Sequence, residues 1–434
     1  MKFLLKIKGS YVDKFFFLTK KRNEKISIYL CGPTVYEETH IGNLRGILLF
    51  DVISRIIRRK NKIDFVHNIT DIDDKIIERA LSEKQSEIFL TNHYTSKYLK
   101  VISDMKLYVF PKIIRVTDCI NDNIFFVDEL FKKNKLNIKN GDLLFKSKIK
   151  NKQFAVWKKT TSGRSWETRW GRGRPGWHTE CAVIIDKHFQ GETIDLHGGG
   201  IDLKFPHHEN ENLLFFAKNN KPISSCWIHH GQVIYSGKKM SKRHGNIIYS
   251  STFIENYGIN VLKFLILNCS HSKPLTVTVE KVNEIQQIIN KYFSLLRKVN
   301  FFLVLGKFSF LGKKENKKEI TNYCEILRNG LNFPKYFKRL QSMFKKLNYL
   351  MITVDIFNFK SVFSKNIDEI VTYFFHFRRM FWFLGIEFKV YYHFKKKHEK
   401  IINDWIFHLK NKNYSLADEK RETLKKMFGE FLWF

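Results

Sequence analysis

The segment Cys31-Gly-Pro-Thr-Val-Tyr-Glu-Glu-Thr-His-Ile-Gly-Asn43 constrains this chain more than any other. The apolar run before it, residues 26–30, reads as a buried strand. After it, residues 44–60 carry apolar side chains at helical spacing, with Arg and Lys filling the other face. The segment is therefore a strand-to-helix turn that contains a thiol, an imidazole and a glycine. Turns of this kind, at the carboxyl ends of parallel strands, are where open α/β sheets bind nucleotides. The free N–H groups of a helix start suit phosphate.

The neighbouring chain extends that pattern. Residues 63–69 form a second strand candidate, rich in β-branched and aromatic side chains. Thr70-Asp-Ile-Asp-Asp-Lys75 leads into a helical pattern over 76–81, and 84–107 also has helical character. Asp71, Asp73 and Asp74 sit where a helix N-terminus favours acids, so capping and chemistry both stay open for them. Alternating strand and helix predicts a parallel, Rossmann-like sheet. Residues 119–175 break the rhythm with Lys, Asn and then Gly, Arg and Trp, and read as an irregular insertion between two halves of the sheet. The sheet resumes near 177. A short strand over 193–196 runs into His197-Gly-Gly-Gly-Ile-Asp-Leu-Lys-Phe-Pro-His-His-Glu-Asn-Glu211. Three glycines allow a ligand close to the backbone, and Pro206 suits the first position of a helix continuing over 211–217. A further strand over 227–234 ends at the loop Ser236-Gly-Lys-Lys-Met-Ser-Lys-Arg243. Beyond about 250, helical periods with basic faces cover 253–268, 279–299, 319–347 and 367–383, and a last helical pair surrounds 411–418. The predicted plan is 1–118 as the first half of the sheet domain and 119–175 as the insertion. The second half is 176–250, followed by a helical linker at 251–300 and an all-α domain at 301–434.

Charge points to a partner. The formal net charge is +34, which predicts a polyanion, nucleic acid before an anionic membrane. An AT-rich genome also enriches Lys, Asn, Ile and Phe, but it explains Lys-for-Arg exchange better than a large surplus. Six cysteines with no framework spacing predict free thiols in a reducing cytosol. Lysines interrupt the apolar patches of residues 1–22 and no small-residue cleavage site follows, so a signal peptide is not expected. No run approaches the roughly 18–20 apolar residues of a membrane span. A cytoplasmic protein with no membrane association is expected.

Two constellations carry chemistry. His207 and Glu211, four apart on a helix, project from one face and offer nitrogen and oxygen donors to zinc. Cys31 and Cys181, each read at a strand end or loop, would complete the set. On spacing alone, buried thiols beside a solvated helix face remain the alternative. Separately, His40-Ile-Gly-Asn43 and Lys239-Met-Ser-Lys242 make a two-part clamp for a triphosphate, one part at a helix start and one on a loop.

Together these segments resemble the class I aminoacyl-tRNA synthetases and, among them, the cysteinyl-tRNA synthetase family. His40–Asn43 matches the HIGH motif and Lys239–Arg243 the KMSKS motif, with Asn43 and Arg243 departing from the last letter of each. Cys31-Gly-Pro-Thr-Val-Tyr36, Asn68-Ile-Thr-Asp-Ile-Asp-Asp-Lys75, Gly173-Arg-Pro-Gly-Trp-His-Thr-Glu-Cys181 and the HGGG…FPHHENE stretch resemble the cysteine enzyme specifically. The resemblance implies one zinc per chain on Cys31, Cys181, His207 and Glu211, joined by the substrate sulfur as a thiolate. Serine would then be rejected without an editing domain. It implies ATP, with Mg2+, bound by His40, Gly42, Asn43, Gly200, Asp202, Lys239 and Lys242. Of these, His40, Asn43, Lys239 and Lys242 would assist the formation of cysteinyl-adenylate. Thr70, Trp177 and His197 would shape the cysteine pocket, Trp177 having a core role as its alternative. His178, His208, His229 and His230 are expected in supporting roles. The implied partners are ATP, L-cysteine and tRNA-Cys; a monomer is expected, though neither the sequence nor the resemblance fixes the oligomeric state. Residues 301–434 would bind the anticodon stem-loop, with Trp382, Trp405 and Trp433 as stacking candidates or core aromatics. The insertion is short for the family, which bears on the acceptor-stem contacts made there. Two rivals are a ligase that gives cysteine to a small amine and a non-catalytic tRNA-binding relic. The long basic helical region speaks against the first, and the intact motif positions against the second.

Overall fold

A computed structural model describes residues 4–11, 14–21, 23–57, 61–146, 153–240, 245–305, 324–352, 359–388 and 396–428. The chain opens with an antiparallel pair, β1 (Leu5–Lys8) and β2 (Phe15–Leu18). Then come β3 (Lys25–Leu30), α1 (Leu44–Ile57), β4 (Lys62–Ile69), α2 (Asp74–Ser82), α3 (Glu87–Asp104) and β5 (Lys112–Arg115). After α4 (Ile120–Lys132), four strands form an antiparallel sheet: β6 (Leu136–Lys139), β7 (Asp142–Phe145), β8 (Ala155–Lys159) and β9 (Gly173–Pro175). The alternation resumes with α5 (Trp177–His188), β10 (Ile194–Gly200), α6 (Glu209–Asn219) and β11 (Ser224–His230). Strands β10 and β11 rejoin the first three in the order β11-β10-β3-β4-β5, and every pairing in that sheet is parallel. The chain leaves β3 toward β4 on one side and meets β10 on the other. The carboxyl end of β3 is thus the switch point where a crevice opens in such sheets.

Several expectations change in physically instructive ways. The described residues of 119–175, which are 119–146 and 153–175, form a helix and an antiparallel sheet rather than an irregular segment. Its β6–β7 turn uses Asn140 and Gly141, both at positive φ, a tight hairpin geometry. Leu143, Phe145, Val156 and Trp157 of its sheet pack on Phe126, Val127 and Leu130 of α4. The three glycines belong to β10, not to a loop after a short strand. Gly198 pairs with Ile228, and a Cβ there would come within 2.3 Å of the Phe50 ring of α1. Only glycine lets that helix lie so close. The single strand predicted over 227–234 is two, β11 and β12 (Val233–Tyr235), with β12 in a separate small sheet. The helix predicted over 253–268 divides into Ser250–Tyr257 and Ile259–Leu267 at Gly258, whose φ is +83. Pro206 lies in a short wide turn, Lys204–His208, ahead of α6 rather than at its first position.

Helix α1 departs most from expectation. All fourteen of its residues are buried, so it has no solvated basic face. Burying a charge is expensive unless it is paired, and each charge here is satisfied. Arg55 Nε bonds Asp51 Oδ2 at 2.8 Å, while Asp51 Oδ1 accepts from the N–H of Tyr108 at 2.6 Å. The Arg45 guanidinium donates to the carbonyls of Gly231, Gln232, Ser270 and Lys273 and to Cys269 Sγ. It captures the chain where β11 ends and β12 has not begun.

The described residues fall into two compact units. The first takes in 1–262, 269–278 and 328–331 and contains the sheets; the second takes in 263–268, 279–327 and 332–434 and is helical. Its helices include Val279–Leu305, Phe333–Ile352, Phe359–Phe383, Lys396–Lys410 and Tyr414–Phe428. Tyr292, Phe377 and Phe381 pack edge to face in its interior. Trp405 is buried with Phe301, Ile402, Ala417 and Leu424, so of the three tryptophans expected as stackers it belongs to a core. Arg379 lies 4.2 Å over the Trp382 ring, and Trp433 falls outside the described residues. Among the described residues no helix is long and apolar enough to cross a membrane.

Candidate active site

Cys31 stands one residue beyond β3, held by its N–H to the Gly198 carbonyl at 3.0 Å. The next residue allows no side chain, since a Cβ on Gly32 would sit 1.6 Å from the Asn68 carbonyl oxygen. Cys181 is on the second turn of α5, not at a strand end or loop. His207 lies in the wide turn before α6 and Glu211 in the first turn of that helix. The predicted spacing of four therefore survives an irregular helix start, with His207 Nε2 2.7 Å from Glu211 Oε1.

Donor atoms of these four residues lie within 4.8 Å of one another. The two sulfurs are 3.8 Å apart, Cys181 Sγ is 3.6 Å from His207 Nε2, and Cys31 Sγ is 3.7 Å from Glu211 Oε1. Bonds of about 2.0–2.3 Å to a tetrahedral metal separate neighbouring ligands by about 3.3–3.8 Å. The three distances that involve a thiol match that range. The 2.7 Å contact of His207 Nε2 with Glu211 Oε1 is a direct bond that a metal between them would open. Two thiols, an imidazole and a carboxylate are a zinc donor set. A second set, Cys31, His197, His208 and Glu211, also clusters. Cys181 and His207 line the central cavity, whereas His197 and His208 do not. His197 Nε2 is instead 2.8 Å from Glu211 Oε2, and His208 Nδ1 is 2.7 Å from His229 Nε2. Cys31, Cys181 and His207 face the cavity, whereas His197 and His208 lie behind them, with His208 Nε2 3.3 Å from Cys31 Sγ.

Without a metal the cluster holds protons that a bound ion would displace. Burial pushes the Cys31 thiol well up, while the hydrogen bond from Cys31 brings Cys181 down to about 7. Burial opposes charge on His207, but the Glu211 carboxylate and the Cys181 sulfur outweigh it and raise the imidazole to about 10. Burial likewise opposes ionisation of Glu211, and His207 and His197 reverse that to hold it well below the usual carboxylate range. Trp177 stacks on His207 at 4.2 Å and stays 42% exposed, so it lies on the cavity wall rather than in the core.

The predicted phosphate residues line the same cavity, of about 630 Å³. His40 caps the short turn Ile41–Asn43, its Nδ1 accepting from the Gly42 N–H at 3.1 Å. Asn43 Oδ1 accepts from the His40 N–H at 3.0 Å. Burial first, then the charge of Lys239, lower the His40 pKa to about 4. The ring is neutral at pH 7, and with Nδ1 accepting, its proton is on Nε2. Lys239 Nζ pairs with Asp202 Oδ2 at 3.0 Å. Gly200 and Thr70 complete the predicted lining residues, and Thr70 Oγ1 donates to Glu180 Oε2 at 3.3 Å. Lys242 and Arg243 lie outside the described residues. His197, expected beside the substrate, sits behind Glu211 and stacks on Trp227 at 4.1 Å.

Some contributors were not singled out from sequence. Asn68 accepts from the Gly32 N–H at 2.8 Å and donates to Thr70 Oγ1 at 3.2 Å, tying both sides of the crevice. His67, on the cavity wall, lies 2.8 Å from the Leu30 carbonyl and 2.7 Å from Tyr98 Oη. Arg45 heads the stripe Arg45, Leu48, Leu49, Val52; a charge at the head of an apolar stripe was the available signal.

The profile of the tRNA synthetases class I (C) catalytic domain matches residues 17–151 and 145–287. A cysteine–tRNA ligase of Mesoplasma florum is 37% identical over 358 residues, covering 75% of this chain and 81% of the relative. That of Mycoplasmoides gallisepticum is 34% identical over 435 residues, covering 92% and 95%. In fold, the chain is similar to Mycobacterium tuberculosis methionyl-tRNA synthetase solved with methionyl-adenylate. The TM-score is 0.59 at 11% identity, over 89% of this chain and 91% of that one. With a Rossmann-like sheet, a helical unit and relatives of this similarity along most of its length, the chain belongs to the cysteine–tRNA ligases, a family of class I aminoacyl-tRNA synthetases.

Proposed function

We propose that this chain activates L-cysteine with ATP as cysteinyl-adenylate and passes it to the terminal ribose of tRNA-Cys, releasing AMP and pyrophosphate. The observation that carries this reading is one cavity lined both by Cys31, Cys181 and His207 and by His40, Gly42, Asn43, Asp202 and Lys239. Zinc held by Cys31, Cys181, His207 and Glu211 would supply a site for the substrate sulfur as thiolate, which a serine hydroxyl fills poorly.

The chain's own residues do the rest. Neutral His40 offers Nε2–H to a phosphate oxygen, while the Gly42 N–H stays committed to Nδ1. Asp202 keeps Lys239 at the cavity until a triphosphate, accompanied by Mg2+, competes for it. Gly200 and Asp202 serve the nucleoside part of ATP. Lys239 and Lys242 neutralise charge that builds on the phosphates during in-line displacement. Thr70 and Trp177 bound the amino-acid side of the pocket. The chain works as a cytoplasmic monomer. Its parts serve as planned above, with 119–175 toward the acceptor stem and 301–434 toward the anticodon.

The test is transfer. Purified protein given ATP and radiolabelled cysteine should charge tRNA-Cys and leave a small amine acceptor unmodified. Amine modification without tRNA charging would establish the rival ligase, and neither product would establish the relic.

A further inference from the structure

Helix α3 carries an outward strip in which aromatic and cationic side chains interleave. Phe89 is 59% exposed, and its neighbour Ile88 is 53% exposed. The rings of Phe89 and His93 are nearly parallel, 8° apart in plane with centroids 6.5 Å apart. With Asn92, Ser96, Lys97 and Lys100 they line a shallow depression that is separate from the central cavity. Two flat faces beside two lysines are the elements with which proteins hold unpaired nucleotides: stacking for the bases, charge for the backbone.

The strip is also in the right place. Lys97 Nζ is 3.7 Å from Glu38 Oε2, and Glu38 lines the central cavity. Tyr94 of α3 and cavity-lining Tyr36 both pack on Ile76, Ala80 and Leu90. One small cluster thus supports both the strip and the cavity wall.

We propose that this face of α3 receives the unpaired 3′ end of the tRNA as it enters the cavity, with a base stacked on Phe89 and His93 and its phosphates beside Lys97 and Lys100. The assignment rests on the tRNA-charging function proposed above. Phe89 and His93 do not line the central cavity, so their removal is expected to leave adenylate formation unchanged.

The test uses the full chain and tRNA-Cys carrying 2-aminopurine at its last unpaired position before the terminal CCA. On binding wild-type protein the fluorescence should be quenched by stacking, and the double variant F89A/H93A should restore it. That variant should keep wild-type cysteine-dependent ATP–pyrophosphate exchange and raise the KM for tRNA about ten-fold or more, while Phe89→Tyr should behave as wild type. Absence of quenching with the wild-type protein would overturn the proposal, whether or not the double variant folds. So would an unchanged tRNA KM in a double variant with normal exchange. Absence of exchange in the wild-type protein would instead overturn the function on which the proposal rests.

Discussion

His197 and Glu211 are joined by a 2.8 Å bond between Nε2 and Oε2, and both side chains are fully buried. The other carboxylate oxygen of Glu211 faces His207 and Cys31. His197 therefore fixes which oxygen is offered to the metal cluster. Orienting partners of this kind are worth about 10–100-fold in metal affinity. His197→Ala should weaken zinc binding by that factor in competition with a chromogenic chelator. Unchanged affinity would remove His197 from this role.

Arg45 should matter to stability as much as any apolar residue of α1. Its removal takes a charged donor from the carbonyls of Gly231, Gln232, Ser270 and Lys273, and a hydrogen bond to a charged group is worth about 1.5–3 kcal/mol. Arg45→Met should lower the urea-unfolding free energy by at least about 3 kcal/mol. Arg45→Lys should recover only part, because an ammonium cannot span the acceptors that a planar guanidinium reaches.

Gly42 tests the phosphate side alone. A Cβ there would lie 2.9 Å from His40 Nδ1 and Cε1, so the imidazole must move. Misplacement of about 1 Å can cost about 100-fold in rate. Gly42→Ala should lose exchange on that scale while zinc content stays at the wild-type level. Loss of zinc as well would mean that the two halves of the site are not independent.

Buried neutral histidines predict acid sensitivity. Burial lowers His67, His230 and His271 to about 4 each, from an ordinary value of 6.5. Between those values the unfolded chain takes up protons that the folded chain does not, so stability falls as pH drops from about 6.5 toward 4. The urea midpoint should therefore decrease steadily over that window. His67→Gln should make the decrease shallower, and an unchanged slope would count against a buried neutral His67.

The strand-turn-helix frame was legible because period and punctuation coincide: β3, α1 and β4 follow directly from apolar spacing around Cys31–Asn43. The His207–Glu211 pair was legible from a spacing of four. What stayed hidden depends on distant partners. Cys181 was misplaced because 182–185 reads equally as strand or helix, and only packing selects α5. The glycines of β10 looked like a loop because their cause, the Phe50 ring, is nearly 150 residues away in the chain. Arg45 and Arg55 looked like a solvated face because a satisfied buried cation carries no local mark. The hairpins of 119–175 were masked by Lys and Asn on short strands whose core is supplied by α4.

The central claim is that the cluster of Cys31, Cys181, His207 and Glu211 selects cysteine through its sulfur. The most direct measurement is ATP–pyrophosphate exchange driven by cysteine and by serine, with zinc content determined on the same samples, for wild type and Cys181→Ser. Wild-type protein should contain zinc and prefer cysteine by about 10⁴-fold, and Cys181→Ser should lose zinc and cysteine-driven exchange together. Retained zinc with unchanged discrimination in Cys181→Ser would contradict the account.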